Sequence, residues 1–129
     1  MIVLDASATI DYLLDTSPAA DRVDELMHEH RSDLHAPHLM DAEVAQVLRG
    51  YAIRGILSEQ RVFAALHHLE GLPLKRYPHL PLLGEAMRKR RNLTIYDALY
   101  VVLAEALDAT LVTKDRAVLE QAGPRAVRV

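Results

Sequence analysis

The sequence predicts an α/β fold in which a central, mainly parallel sheet of four to five strands is covered by helices. Three observations predict it. Short apolar runs rich in β-branched residues, such as Ile2-Val3-Leu4, carry no polar alternation, as expected of strands buried on both faces. Between these runs lie longer segments with apolar residues at helical spacing. The two kinds of segment alternate along the chain, which is the pattern of strand–helix–strand crossovers.

The elements follow in order. Residues 2–5 form the first strand, and Ser7 stands where a cap would start a helix running to about residue 14. Ser17-Pro18 opens a second helix, with proline at an early position where its missing N–H costs little. Val23, Leu26 and Met27 give that helix its stripe. Residues 33–37 read as a second strand. Residues 40–54 are helical, because Val44, Val47, Leu48 and Tyr51 fall at i, i+3, i+4 and i+7, and Gly55 ends the pattern. Ser58 caps a further helix over residues 61–69. Residues 74–78 are a weaker third strand, 81–91 a helix, 95–106 another, and 110–113 a fourth strand. In the helix at 95–106 the core-facing residues are Ala98, Val101, Val102 and Ala104 to Ala106. A short helix at 116–121 and a possible fifth strand at 126–129 close the chain.

Bulk properties fit one domain spanning residues 1–129. The chain is long enough to bury a core unaided, half of it is hydrophobic and about a quarter is charged. The absence of cysteine excludes disulfides and thiolate metal sites, and is compatible with a reducing compartment. No apolar run reaches the ~20 residues of a membrane helix. The opening MIVLD has no basic region and reads as the first strand, not a signal peptide. There is no internal repeat or low-complexity tract.

Acidic residues fall where the fold would gather them. In open parallel sheets, sites form outside the carboxyl ends of the strands. Asp5 ends the first strand and Asp115 lies just beyond the fourth. Glu43 and Asp97 lie near the starts of their helices, which face the same edge and favour negative charge. Four converging carboxylates repel, and a hard divalent cation with oxygen ligands is the natural compensation. Ser7 and Thr113 each place a hydroxyl two residues from one of these acids, where it can orient a carboxylate or a bound water. The net charge of −3 becomes +1 when the four acids are set aside, so the remaining surface is mildly basic.

The segments MIVLDAS, DAEVAQVLR, NLTIYDALYVVLAEAL and LVTKD, in that order and spacing, resemble the successive motifs of PIN-domain ribonucleases, and in particular the VapC toxins of prokaryotic toxin–antitoxin pairs. The resemblance runs from Met1 to about Leu119. It implies a three-layer α/β/α sandwich and a Mg²⁺- or Mn²⁺-dependent endoribonuclease. It maps Asp5, Glu43, Asp97 and Asp115 onto the catalytic, metal-binding quartet, with Ser7 and Thr113 beside it. It further implies an RNA substrate, a homodimer, a small VapB-like antitoxin as partner and a location in the prokaryotic cytoplasm. Gln46 stands where many relatives carry asparagine, which touches a supporting polar contact and not the metal site.

Each acid also has a plainer reading. Asp5 and Asp115 are placed to cap the helices that follow them, Asp97 sits in an amphipathic pattern at a surface, and Asp41 competes with Glu43 while fitting a cap better. Four separate caps on one edge would be a coincidence. The basic run at 88–91 is either a solvated helix end or a phosphate clamp, with Arg88 and Arg91 as the contacts; Arg49 and Arg54 are weaker candidates of the same kind. The seven histidines lack zinc-site spacing and read mostly as exposed. Tyr51, Ile53, Leu57 and Phe63 are candidates for a dimer contact.

Four functions compete. Metal-dependent hydrolysis of RNA needs no side-chain nucleophile, with a carboxylate or the ion deprotonating water. A phosphorelay receiver would need a phosphoacceptor aspartate ending a central strand near mid-chain, where residues 46–54 are instead helical and basic. A haloacid-dehalogenase-type phosphatase would need a second aspartate after Asp5, where DAS has none. A degenerate PIN fold that only binds RNA or a partner would have lost an acid, and all four are present.

Overall fold

The computed structural model describes all 129 residues. Five strands, β1 (Ile2–Leu4), β2 (Leu34–Pro37), β3 (Leu74–Tyr77), β4 (Thr110–Thr113) and β5 (Ala126–Arg128), form one sheet in the order β3-β2-β1-β4-β5, and every pairing is parallel. Seven helices cover it: α1 (Ala6–Leu13), α2 (Ala19–Glu29), α3 (Leu39–Ile53), α4 (Glu59–Gly71), α5 (Leu83–Arg88), α6 (Ile95–Leu107) and α7 (Arg116–Ala122). Helices α1 to α4 pack on one another, as do α5 to α7. The chain steps outward from β1 to β3 and then jumps back to β4, so right-handed crossovers put the two groups on opposite faces. The expected three-layer sandwich is what forms.

The central strand β1 is wholly buried, as its unbroken apolar run required. Helix α6 is the element least like its sequence reading. Residues 98–104 are all buried, all the way round the helix, because α5 and α7 flank it while its inner side rests on β1, β2 and β4. Leu99, Tyr100 and Leu103 therefore join the core, whereas Ala106, expected inside, is exposed. In α3, Val44 and Leu48 are buried while Val47 and Tyr51 are only half covered, since that side of the helix borders a cleft.

Boundaries show other departures. The first helix is capped by Asp5, whose Oδ1 accepts from the Ala8 N–H at 3.0 Å, and not by Ser7. Ser58 caps α4 as expected, accepting from the Arg61 N–H. The expected helix at 81–91 is broken into a 3₁₀ turn over Leu80–Leu82 and the short α5. Asp41 caps nothing. It receives two bonds from the Arg76 guanidinium of β3, at 2.6 and 3.1 Å, tying α3 to the sheet edge. Gly55 (φ +71°) and Gly123 (φ +59°) follow the ends of α3 and α7 in left-handed conformations that other residues enter with strain.

Candidate active site

The order β3-β2-β1-β4-β5 reverses direction between β1 and β4, and a crevice forms at the carboxyl ends of strands at such a switch point. Asp5 leaves β1 there, and Thr113 ends β4 beside it. The two side chains meet: the Thr113 hydroxyl donates to Asp5 Oδ2, 108 positions away in sequence. The same hydroxyl accepts from the Asp115 N–H at 2.9 Å. Ser7 Oγ donates to Asp5 Oδ1 at 2.7 Å and accepts from the Lys114 N–H at 3.1 Å. The two hydroxyls thus stitch the starts of α1 and α7 together and fix the Asp5 carboxylate on both sides. Asp5 and Asp115 are caps as well, Asp115 accepting from the Val118 N–H at 2.9 Å. Capping occupies Asp115 Oδ1 and leaves its Oδ2 without a protein donor, whereas both Asp5 oxygens already accept, Oδ1 from Ala8 and Ser7 and Oδ2 from Thr113.

Glu43 projects from the second turn of α3 and is half buried; its Oε1 accepts from the Tyr100 hydroxyl at 2.5 Å. Asp97 lies in the first turn of α6, where its N–H donates to the Thr94 cap, and it too is half buried rather than exposed. Each acid lies within electrostatic reach of two others: Asp5 of Asp115 and Glu43, and Asp97 of Asp115 and Glu43. Burial raises the Asp5 pKa above the usual carboxylate range against the lowering influence of Ala8, Thr113 and Ser7, and Asp115 adds repulsion. Burial raises Glu43, opposed by Tyr100 and reinforced by Asp97 and Asp5. Burial and then Asp115 raise Asp97, while Thr94 lowers it. Burial, followed by Glu43, drives the Tyr100 phenol far up, so it remains a donor.

No three of these side chains stand close enough to form a finished ligand cage. Like charges in a buried crevice repel, and the carboxylates of Asp5, Glu43 and Asp115 are each held by their own protein donors. The donor set still suits a hard divalent ion: it is all oxygen, it carries excess negative charge, and two of its acids, Glu43 and Asp97, are half exposed. A cleft of about 630 Å³ opens beside it, lined by Ser7, Glu43, Gln46, Tyr51, Tyr96 and Lys114 among others. Lys114 Nζ stands at its mouth 2.6 Å from the buried Asp11 Oδ2, a charge contact and not an aligned hydrogen bond.

The remaining candidates divide. Arg49 and Arg91 are exposed and form no ion pair, whereas Arg88 is paired with Glu85 at 3.2 Å. Arg54 lies over the Tyr51 ring and bonds back to Gly50. The histidines form no metal group, but fewer are exposed than expected. His35 is buried in β2, bonded to the Tyr77 hydroxyl and to Asp33, and His79 accepts from the Leu39 N–H. Leu57 is core and drops out of the interface candidates; Ile53 and Phe63 are exposed, with Ile56 between them in sequence. Tyr100 and the Asp11–Lys114 pair went unread in the sequence. Tyr100 had one available signal, its i+3 position from Asp97, which an apolar neighbourhood masked.

Comparison with known proteins gives a consistent result. The PIN domain family model matches residues 2–123. Ribonuclease VapC1 of Mycobacterium tuberculosis is 45% identical over 114 residues, 88% of this chain and 84% of the relative. Ribonuclease VapC12 of the same organism is 33% identical over 126 residues, 98% and 95% of the two chains. Among solved structures, that of PAE2754 from Pyrobaculum aerophilum superposes with a TM-score of 0.75 at 27% identity, covering 99% of this chain and 83% of that one. With a matching family model across nearly its whole length and relatives at this identity, the chain belongs to the PIN-domain family, in the branch of the VapC ribonucleases.

Proposed function

We propose that this protein is a divalent-metal-dependent endoribonuclease, the toxin of a VapBC-type pair, with Asp5, Glu43, Asp97 and Asp115 as its catalytic metal ligands. The observation that carries the reading is the gathering of these partly buried acids at the switch-point crevice, where burial first and their neighbours' charge second raise the pKa values of Asp5, Glu43 and Asp97, on a chain whose relatives are named ribonucleases. A buried cluster that raises its own members' affinity for protons costs stability, and a Mg²⁺ or Mn²⁺ ion relieves that cost. Bound there, such an ion supplies the charge that activates water and stabilises an in-line phosphoryl transition state. The chain's own residues do the rest. Asp5, fixed by Ser7 and Thr113, and Glu43, held by Tyr100, would be ligands fixed in place, and the half-exposed Asp97 would join them from α6.

The RNA backbone lies along the cleft, with Arg49 and Arg91 as phosphate contacts and Arg88 as a weaker one because Glu85 already engages it. Gln46 lines this cleft in the place of the more usual asparagine, toward substrate. The working form is a homodimer held in check by a small VapB-like antitoxin, and Ile53, Ile56 and Phe63 supply exposed apolar area for one of these contacts. No helix is long and apolar enough to cross a membrane. We place the protein in the prokaryotic cytoplasm, where its RNA is.

The test is cleavage of structured RNA by purified protein with Mg²⁺, Mn²⁺ or chelator, beside Asp97→Asn. Metal-dependent cleavage lost in the variant is expected. Equal cleavage by both would overturn the site assignment. The absence of both Mn²⁺ binding and cleavage of any RNA class would instead support the second reading, a degenerate fold that binds RNA or a partner.

A further inference from the structure

Glu43 accepts one hydrogen bond from the protein, and it comes from inside the core. The Tyr100 ring is 2% exposed, and its hydroxyl meets Glu43 Oε1 at 2.5 Å. That hydroxyl has no other partner, and a buried hydroxyl without an acceptor is costly, so the pair is mutually required. Glu43 arrives from α3 on a long, flexible side chain, and its acidic neighbours Asp97 and Asp5 repel it. Left to itself it would swing toward water in the adjoining cleft. Tyr100 lies one helical turn beyond Asp97, so a single helix carries one acid of the cluster and the group that fixes another.

We infer that Tyr100 is a positioning residue: its hydroxyl clamps Glu43 Oε1 from the core and leaves Oε2 free of protein partners to ligate a divalent cation. The inference rests on the metal-site reading above. Groups that orient a ligating side chain change metal affinity by roughly 10–100-fold when removed. Phenylalanine keeps the ring and removes only the donor.

The experiment is calorimetric titration of the full chain with Mn²⁺, with melting in EDTA as a metal-free control. Tyr100→Phe is expected to weaken Mn²⁺ binding about 10–100-fold while its metal-free Tm moves by only a few degrees. Adding Tyr100→Phe to Glu43→Gln should change affinity less than about two-fold, since coupled residues are not additive. Glu43→Asp, which keeps the charge but withdraws it from the hydroxyl, should fall to the Tyr100→Phe level. In RNA cleavage the loss should appear in kcat with KM nearly unchanged. Wild-type affinity in Tyr100→Phe or Glu43→Asp, or additive losses in the double variant, would overturn the inference alone. A wild type that binds no Mn²⁺ would overturn the metal-site reading, and this inference with it.

Discussion

Asp5 is both the cap of α1 and the most buried acid of the cluster, and its two roles can be separated by two substitutions. Asp5→Ala removes the acceptor of the Ala8 N–H, a cap loss of about 1 kcal/mol. It also strands the Thr113 hydroxyl, which is fully buried and beyond the reach of water, at a further cost of about 1–3 kcal/mol. Ser7 is only half buried and can turn to solvent, so its lost bond counts for little. Against this, the buried and repelled charge disappears, which offsets part of the loss and leaves a net cost of about 1–3 kcal/mol. Asp5→Asn behaves differently. Its carbonyl oxygen still caps α1 and the charge is gone, while its amide only donates to the Thr113 oxygen, so the Thr113 O–H loses its acceptor in both variants and Asp5→Asn should keep about 1 kcal/mol more stability than Asp5→Ala, the worth of the cap. For a domain of this size ~1 kcal/mol moves Tm by about 4 °C. Melting in EDTA at neutral pH should therefore put Asp5→Ala about 4–12 °C below wild type and Asp5→Asn about 4 °C above Asp5→Ala. Neither variant should gain stability from Mn²⁺. Equal destabilisation by both substitutions would refute the division of labour between cap and charge.

The raised pKa values of Asp5, Glu43 and Asp97 fix a sign for the pH dependence. A raised carboxylate contributes stability that is fully present below its unfolded value, near 4, and lost as pH rises through its folded value. Metal-free protein should accordingly lose this contribution between about pH 4 and neutrality, and the Tm gain from saturating Mn²⁺ should be larger at high pH than at low; a gain independent of pH would count against a carboxylate site. Arg91→Ala should lower the slope of log affinity against log salt for RNA by about 1, read by fluorescence anisotropy in EDTA, and Arg88→Ala by less; an unchanged slope in Arg91→Ala would remove it from the interface. Leu48 is fully buried in α3, so Leu48→Ala should cost about 2–5 kcal/mol. Urea titration should show the midpoint falling without a change in m, and a loss under 1 kcal/mol would mean that α3 is not seated in the core as described.

How far the site could be read beforehand differs from residue to residue. The place of Asp5 and Asp115 was legible because one directly follows β1 and the other lies two residues past the end of β4, and the carboxyl edge of a parallel sheet is a fixed address once the strands are recognised. Glu43 was legible only in part: the stripe of Val44 and Leu48 gave the helix its inner face, but Asp41 was an equal rival on local grounds. What separates them is Arg76, 35 positions away on β3, which takes Asp41 out of the cluster. Tyr100 was hidden because an aromatic in an apolar helix normally means core, and it is core; only its hydroxyl speaks to the site. Leu57 and Ala106 were misplaced for the same reason in opposite directions, since burial at the end of a helix depends on what packs over it.

The sequence by itself determined the parallel α/β class, the edge on which the acids gather and the residue types found there. These follow from periodicity, from the buried-strand composition of Ile2-Val3-Leu4 and from motif order, all properties of neighbours along the chain. Only the tertiary structure decided which donor holds which acid. The Thr113–Asp5, Tyr100–Glu43 and Lys114–Asp11 contacts join residues far apart in sequence, and such pairings are set by sheet order and helix packing, which bring the carboxyl ends of β1 and β4 side by side. Local preference fixes what a segment becomes; the geometry of a hydrogen bond between segments exists only once they have been packed.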